Sequence, residues 1–228
     1  MAKQSDPARR QPARLLIVDA CRTYADGLRR SLEKERWLRV VESVASAGEA
    51  QNLPGLDEAD LALVDTDLPG LKGFELCQWL IENQPDMNVV MLSFWDWDIY
   101  LARARDAGAS GFLLRSTPTP DLVRSLGQAR YGRIFSEPQL ERLANWREAV
   151  GEHLATLGAR EWDVLWLVAS GITNREISER LGLSENTIEK HVSSILHKLG
   201  LQSRLSLLAF IHRHHLDASI DPLRGGAC

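Results

Sequence analysis

The stretch LVDTDLPGLKGFEL, residues 63–76, joins a short apolar run to an amphipathic segment through a proline-glycine turn. The apolar run LALVD (61–65) is typical of a buried strand, and its last residue, Asp65, places a carboxylate where that strand ends. From Phe74 to Asn83 the apolar spacing predicts a helix. A strand, a tight turn and a helix in this order predict one unit of an α/β sheet.

The same alternation continues on both sides of this stretch. Further apolar runs predict strands at 14–19, 38–44, 88–93 and 111–116, and amphipathic segments predict helices at 26–35, near residue 49, at 98–107 and at 120–129. We therefore expect an α/β domain over residues 14–130, with a doubly wound, five-stranded parallel sheet.

Polar side chains stand at the carboxyl ends of the predicted strands. Asp19, Asp65 and Ser93 each end one, and Arg115 lies near the end of the last. Taken singly, Asp19 and Ser93 read equally well as helix caps or turn residues. The functional crevice of such a sheet lies at this edge, so together the side chains predict a polar pocket.

Length and composition favour a soluble protein of two domains. The 228 residues are 44% hydrophobic and 25% charged, as in globular proteins, and no apolar run approaches the length of a membrane span. The segments 1–13 and 217–228 read as tails.

Three widely spaced cysteines without a CxxC pair predict no zinc site, and we expect a cytoplasmic location. A net charge of −4 gives no overall attraction to nucleic acid.

Residues 14–130, and the stretch quoted above in particular, resemble the receiver domain of bacterial response regulators, which has a flavodoxin-like strand order. The resemblance implies that Asp65 is the aspartate that accepts a phosphoryl group. It also implies that Ser93 is the switch hydroxyl and Phe112 the switch aromatic, and that Arg115 stands where the family keeps a lysine.

One departure from the receiver pattern lies at the end of the first strand. Receivers usually have two adjacent acids there, which hold Mg²⁺ together with the acceptor, but here Asp19 is followed by Ala20. The planar guanidinium of Arg115 suits a carboxylate, and we expect it to pair with Asp65. We therefore expect a degenerate receiver without a firmly bound cofactor. Because Asp67 is a candidate replacement acid, weak Mg²⁺ binding at Asp19 and Asp65, with phosphorylation of Asp65, stays open as the alternative.

The segment SFWDWDIY, residues 93–100, places Trp95 and Trp97 after the fourth strand. The favoured interpretation is that one of these rings packs over the pocket as part of the core. The alternative is that they anchor a partner or dimer surface, where large aromatic side chains are enriched.

Residues 131–155 carry apolar side chains at helical spacing, namely Leu140, Leu143, Val150 and Leu154. They predict one amphipathic linker helix, to which we assign no chemistry. A dimerising coiled coil is the alternative.

Residues 156–216 predict a second, all-helical domain. Thr173 and Glu176 form a capping box, Gly182 turns the chain, and Ser184 is the N-cap of a longer helix. A short helix, a tight turn and a longer helix predict a helix-turn-helix, whose second helix enters the major groove of DNA. Periodicity alone fits a helical bundle with an ordinary polar surface equally well.

This second domain is similar to the LuxR-type DNA-binding domain of the NarL/FixJ family, through residues that include Arg160, Glu161, Asn174, Leu181, Thr187, His191, Gly200 and Arg204. The resemblance implies phosphate contacts from Asn174, Ser184, Thr187 and Lys198, with Arg175 as a further DNA-binding residue, and base contacts from Glu189, Lys190, Ser193 and His197. Glu189 is a departure, because a basic residue is frequent at this position in the family. Glutamate can accept a hydrogen bond from cytosine N4, and lysine can donate to guanine.

The segment 203–215 predicts a fourth helix, which pairs two DNA-binding domains in that family. Leu207, Leu208 and Ile211 are the candidate dimer residues, and the alternative is that they complete the bundle. We expect a transcription regulator without enzymatic activity that binds an inverted repeat in double-stranded DNA as a homodimer, without a membrane partner. Two alternatives remain: a conventional regulator phosphorylated at Asp65 through a histidine kinase, and an interaction adaptor without specific DNA binding.

Overall fold

The computed structural model of the chain describes residues 11–69 and 73–216. They form two compact units, one of residues 11–96 with 100–136 and the other of residues 97–99 with 137–216. The tails predicted at 1–13 and 217–228 lie outside the described residues except for 11–13, where Ala13 already belongs to the first strand.

The first unit contains a five-stranded parallel sheet with the strand order β2-β1-β3-β4-β5. Its strands are β1 (Ala13–Val18), β2 (Leu38–Val44), β3 (Leu61–Asp65), β4 (Asn88–Ser93) and β5 (Gly111–Leu114). Side chains along β3 are buried on both faces, as expected of a parallel sheet covered by helices on both sides. The predicted doubly wound α/β fold is confirmed.

Five helices follow the strands in turn: α1 (Arg22–Leu32), α2 (Ala47–Gln51), α3 (Gly73–Asn83), α4 (Asp98–Asp106) and α5 (Thr119–Ala129). Helix α1 begins at Arg22, before its predicted start at Asp26. The sequence does not reveal this earlier start, because the first turn is mostly polar and carries no apolar period. Ala25, Leu28 and Leu32 form its buried face and pack with α5 against the sheet. This arrangement leaves the carboxyl ends of the strands open to form a site.

Helix α3 lies unusually close to the end of β3. A β-carbon added to Gly73 would lie 1.9 Å from the carbonyl oxygen of Asp65, so only glycine fits there. The Gly73 amide also donates to the carbonyl of Thr66 at 3.3 Å. The start of α3 is therefore held directly against the residue that carries the candidate site.

The second unit is helical. It contains α6 (Glu137–Trp146), a π-helical turn (Arg147–Gly151), α7 (Glu152–Ala155), α8 (Ala159–Ala169), α9 (Asn174–Leu181), α10 (Glu185–Lys198) and α11 (Arg204–Arg213). Its core includes Val164, Ile177, Ile188 and Ile195. None of the helices in the described part of the chain has the length and apolar character of a membrane span.

The predicted linker helix differs from the observed one at its start. It begins at Glu137, and residues 131–136 precede it outside any helix. Val150 and Leu154 are buried in the core of the helical unit, whereas Leu140 is 40% exposed. The segment is thus an integral part of the helical unit from Glu137 onward.

Candidate functional site

The polar side chains at the strand ends meet in one pocket of the first unit. Nη2 of Arg115 lies 2.9 Å from Oδ1 of Asp19 and 2.7 Å from Oδ2 of Asp65. Both aspartates are buried, with exposed fractions of 2% and 4%. The expected pair between Arg115 and Asp65 is present in the structure, and Asp19 shares the same nitrogen.

An aromatic ring holds the guanidinium from the side. The Cζ atom of Arg115 lies 4.5 Å from the centroid of the Tyr24 ring, a cation–π distance. The Tyr24 hydroxyl donates to the carbonyl oxygen of Arg115 at 3.4 Å, and the Arg115 amide donates to the carbonyl of Ser93 at 2.7 Å. The side chain of Arg115 is therefore fixed at its base and at its charged end. Tyr24 was missed by sequence reasoning, because 91 residues separate it from Arg115.

Burial dominates the protonation of the two acids. It raises the pKa of Asp65 to about 7, although Arg115 lowers it, and the nearby charge of Asp19 adds to the rise. Burial likewise raises the pKa of Asp19 against the lowering by Arg115 and by the amide of Cys21. The pocket therefore holds one fixed cation and a carboxyl group that titrates near neutral pH.

The residues at this pocket do not fit a magnesium ion. Ala20 offers no side-chain oxygen, and Arg115 places a positive charge between the two carboxylates that would share the ion. Asp67, the candidate replacement acid, accepts a hydrogen bond from the Tyr100 hydroxyl at 3.1 Å. Among residues 11–69 and 73–216, no group of three acidic, cysteine or histidine side chains could hold a metal.

The hydroxyl of Ser93 is fully occupied by hydrogen bonds. It accepts from the Thr66 hydroxyl at 3.2 Å and from the Trp95 amide at 3.1 Å, and it donates to the Trp95 carbonyl at 3.0 Å. Ser93 is completely buried. It therefore links the residue after Asp65 to the loop that follows β4. Phe112, the other switch position, is buried in the sheet, with 2% exposed.

The loop after β4 carries an exposed aromatic pair. Phe94 is 62% and Trp95 40% exposed, and their rings meet edge to face at 4.8 Å. Phe94 had not been singled out from the sequence. Trp97 belongs by its contacts to the helical unit, where its ring stacks on His215 at 4.4 Å. The ring found against the cation of the pocket is that of Tyr24, and Trp95 is too exposed to form part of the core as expected.

The helix-turn-helix of the second unit has the predicted caps. The Thr173 hydroxyl accepts from the amide of Glu176, Gly182 takes the left-handed conformation at φ 65°, and Ser184 accepts from the amide of Thr187. Ile188, Val192 and Ile195 of α10 are buried. The opposite face of α10 is exposed and carries Asn186, Glu189, Lys190, Ser193 and His197. All residues predicted to contact bases thus lie on one solvent-facing side.

The residues expected to hold phosphates are already engaged within the unit. Lys198 donates to Glu161 at 2.6 Å and to the carbonyl of Thr156 at 2.9 Å. Asn174 accepts from Arg204 at 2.9 Å. The hydroxyls of Ser184 and Thr187 share a hydrogen bond of 2.8 Å, and Arg175 pairs with Glu179 at 3.3 Å. The bond to Asn174 uses its side-chain oxygen and leaves its amide nitrogen as a donor, and the ammonium of Lys198 has three N–H donors, so these contacts do not by themselves prevent phosphate binding.

Glu161 is the centre of one such cluster, a role that the local sequence pattern does not predict. It is 7% exposed and accepts from the amide of Gly158, the hydroxyl of Ser194 and the ammonium of Lys198. Although burial alone would raise its pKa, these hydrogen bonds lower the pKa of Glu161 to about 2. The cluster fastens α10 to α8 by charge-assisted hydrogen bonds.

The structure corrects two of the candidate dimer residues on α11. Leu207 is fully buried and Ile211 is 2% exposed, both in the core of their own unit. They complete the bundle, which was the alternative interpretation, and are not available to a partner. Leu208 is half-buried, and Leu205 is 77% exposed.

Two family models match the chain. The model for the response regulator receiver domain matches residues 15–126, and the model for bacterial regulatory proteins of the luxR family matches residues 155–211. These ranges correspond to the α/β unit and to most of the helical unit.

Relatives match over nearly the whole length. The nitrate/nitrite response regulator protein NarL of Escherichia coli K12 is 28% identical over 211 residues, which cover 90% of this chain and 98% of NarL. RcsB from Salmonella enterica serovar Typhimurium, bound to promoter rprA with the phosphomimetic BeF3−, superposes with a TM-score of 0.58 at 26% identity, covering 89% of this chain and 99% of that one. A structure of two RcsB dimers bound to two parallel DNAs gives a TM-score of 0.57 at 25% identity, covering 89% and 98%. With both domains matched in order, this chain belongs to the NarL/FixJ-type response regulators, a family of DNA-binding transcription regulators.

Proposed function

We propose that this chain is a transcription regulator whose receiver is not switched by phosphorylation of Asp65. The observation that carries the proposal is the guanidinium of Arg115, which lies within hydrogen-bonding distance of both Asp19 and Asp65. Phosphoryl transfer depends on a cation that neutralises the spreading charge of the phosphoryl group. Here the chain supplies its own cation, tethered to the fold, and the second acid that would hold a metal is absent.

The state of Asp65 supports the same conclusion. Its Oδ2 is paired with Arg115, and its Oδ1 accepts from the amide of Asp67 at 3.3 Å. The carboxyl is almost fully buried, and its pKa of about 7 leaves it partly protonated at neutral pH. A nucleophile needs an ionised oxygen that can reach the incoming group. Both oxygens of Asp65 are instead engaged by the chain itself.

In this proposal, association takes the place of phosphorylation. The protein acts in the cytoplasm and binds an inverted repeat in double-stranded DNA as a homodimer, as the relationship to RcsB suggests. The exposed Phe94 and Trp95 form the candidate surface for a protein partner, because Ser93 connects their loop to the pocket. Binding of a ligand or partner at that loop would change the DNA-binding activity of the regulator without phosphorylation of Asp65.

The first alternative is a conventional regulator that a histidine kinase phosphorylates at Asp65. It is favoured by the retention of the acceptor aspartate and the switch serine. The RcsB complex with BeF3− is a further argument for it.

The second alternative is an adaptor without specific DNA binding. It is favoured by the low free positive charge of the helical unit, where Lys198 and Arg175 are paired with acids.

Genomic pull-down sequencing with the full chain tests the proposal. Three samples are compared: the wild type untreated, the wild type treated with Mg²⁺ and a small phosphodonor, and the Asp65→Asn variant. The proposal predicts one shared DNA motif with equal enrichment in all three. Enrichment that appears only after treatment and is lost in Asp65→Asn would favour the first alternative, and no common motif would favour the second.

A further inference from the structure

The exposed face of α10 that is predicted to contact bases, here called the reading face, comprises Glu189, Lys190, Ser193 and His197. It carries an acid without an ion-pair partner in the domain. Glu189 is exposed in the second turn of α10, and within the described residues its carboxylate makes no ion pair or hydrogen bond. Its helical neighbours three and four positions away are Glu185, Asn186, Val192 and Ser193, none of which is basic. Glu189 therefore presents an unpaired carboxylate to whatever the face contacts.

Most cations of the same unit are already paired. Arg160 bonds Asp163 at 3.2 Å, Arg175 bonds Glu179 at 3.3 Å, and Lys198 bonds Glu161 at 2.6 Å. Arg204 donates to Asn174 and to the carbonyl of Ile172. On the reading face Lys190 is the cation without an ion pair among the residues that the structure describes. Residues 156–216 carry seven Lys or Arg against six acids, so the net attraction to phosphates is small and an unfavourable acid in the groove matters more.

The position of α10 is well defined. Ser194 and Lys198 bind Glu161 at 2.7 and 2.6 Å and fasten the helix to α8, while Ile188 and Val192 fix its rotation in the core. Glu189 lies one residue beyond Ile188, on the exposed side, next to Lys190. A rigid helix that enters the major groove brings such a side chain to a defined base pair.

The four bases differ in what they offer to a carboxylate there. Cytosine presents the N4 amino group, a donor, without an adjacent acceptor. Guanine presents two acceptors, thymine one acceptor, and adenine a donor beside an acceptor. A desolvated carboxylate that meets an acceptor loses its hydrogen bonds to water and gains none. Cytosine is thus the base that suits Glu189 best.

We propose that Glu189 is a specificity-determining residue that accepts a hydrogen bond from the N4 amino group of a cytosine in each half-site and excludes guanine and thymine from that position. The inference rests on the proposed function, since it requires that the helix-turn-helix binds DNA specifically. Glu189 acts by attraction to cytosine and by repulsion from guanine and thymine, which is how a weakly charged reading face gains specificity.

Affinity selection from a randomised pool of double-stranded DNA tests the inference. It uses the full-length wild type, Glu189→Gln and the control Glu179→Gln, which makes the same change of charge on α9. The wild type is expected to select a motif with one cytosine column per half-site, where exchanging C·G for T·A weakens binding about tenfold or more. Glu189→Gln is expected to reduce that discrimination to below about threefold and to accept adenine, because glutamine pairs with adenine.

The control separates base reading from charge. Glu179→Gln is expected to keep the cytosine column and to raise the affinity for all sequences, since it releases Arg175. Thermal unfolding should be unchanged in both variants, because both side chains are exposed. A wild-type motif that survives unaltered in Glu189→Gln overturns this inference and leaves the proposed function intact. A wild type that selects no motif overturns the proposed function and the inference together.

Discussion

At position 115 a guanidinium bridges two buried carboxylates through a single nitrogen while its face lies against an aromatic ring. Its Nη2 contacts Asp19 and Asp65, and its flat face lies on Tyr24. A planar cation can be hydrogen-bonded at its edge and covered by an aromatic ring at the same time, which an ammonium group does less well. In the function proposed above, arginine at position 115 and alanine at position 20 act together, because the fixed cation of Arg115 takes the place of a bound metal ion.

Asp65→Asn tests the electrostatics of this pocket. The folded-state pKa of Asp65 is raised to about 7, above its unfolded value, so the native state binds the extra proton and its stability falls as the pH rises from about 4 to 7. Asp65→Asn removes the titrating carboxyl, so its free energy of unfolding should not show this fall. The gain in stability of the variant over the wild type is therefore expected to be a few kcal/mol larger at pH 8 than at pH 5, since one pKa unit corresponds to about 1.4 kcal/mol. Chemical unfolding at both pH values measures it.

The control for this prediction is Asp26→Asn, which changes the charge of an exposed aspartate on α1. It should leave the pH profile of the wild type unchanged. If Asp65→Asn lowers stability equally at both pH values, the carboxylate is ionised throughout and the assignment of a raised pKa fails.

At the scale of the element, the start of α3 depends on one missing side chain. Gly73→Ala would bring a β-carbon to 1.9 Å from the Asp65 carbonyl, so we expect the helix to shift and the free energy of unfolding to fall by about 2 kcal/mol or more. Gly48→Ala in α2 is the matched control, because nothing lies within 4 Å of its added carbon. It should be neutral or stabilise by up to about 1 kcal/mol. Equal effects of the two substitutions in thermal unfolding would contradict the close packing of α3 on β3.

Helix α10 depends on a buried acid in α8. Glu161→Gln leaves Lys198 without its charged partner, and we expect the helical unit to lose about 1–3 kcal/mol. The folded-state pKa of Glu161 is lowered to about 2, so its contribution is present above the unfolded value near 4.5 and is lost as the pH falls toward 2. The stability difference between wild type and variant, measured by urea unfolding, should therefore shrink in acid. A difference that is independent of pH would count against the ion pair.

The elements differ in how well the sequence predicts them. Strands β3 and β4 begin and end where their apolar runs do, because burial on both faces leaves an uninterrupted signal. The bounds of β2 also match, although it is an edge strand that buries only part of its side chains. Helix α1 was placed too late, because its first turn is polar, and the face of α11 was assigned to a partner although Leu207 and Ile211 point into their own core. Periodicity identifies a buried face but does not say whether the same chain or another one covers it.

The pocket was predictable to the extent that strand ends converge. The parallel order brings Asp19, Asp65 and Arg115 to one edge, and the pair between Arg115 and Asp65 follows from charge. Tyr24 and the sharing of one nitrogen by both acids depend on side-chain packing across 91 or more residues, which no local pattern encodes.

At the scale of the whole molecule, paired cations should make DNA binding only weakly dependent on salt. Each phosphate contact adds about −0.9 to the slope of log K against log salt concentration. We expect Glu179→Gln, which frees Arg175, to steepen the slope by about one unit per bound domain. Glu33→Gln, which removes an equivalent acid from a pair with Arg29 on α1, is the control and should leave the slope unchanged. Parallel slopes for wild type and Glu179→Gln would mean that Arg175 does not reach a phosphate.

Intact-mass measurement after incubation with Mg²⁺ and a small phosphodonor tests the central claim most directly. We expect the wild type to stay unmodified, because Arg115 holds the carboxylates that would share the ion, and the double variant Ala20→Asp/Arg115→Lys to gain one phosphoryl group. Adding Asp65→Asn to the double variant should abolish the gain. A wild type that gains one phosphoryl group under the same conditions, and loses it in Asp65→Asn, would contradict the account.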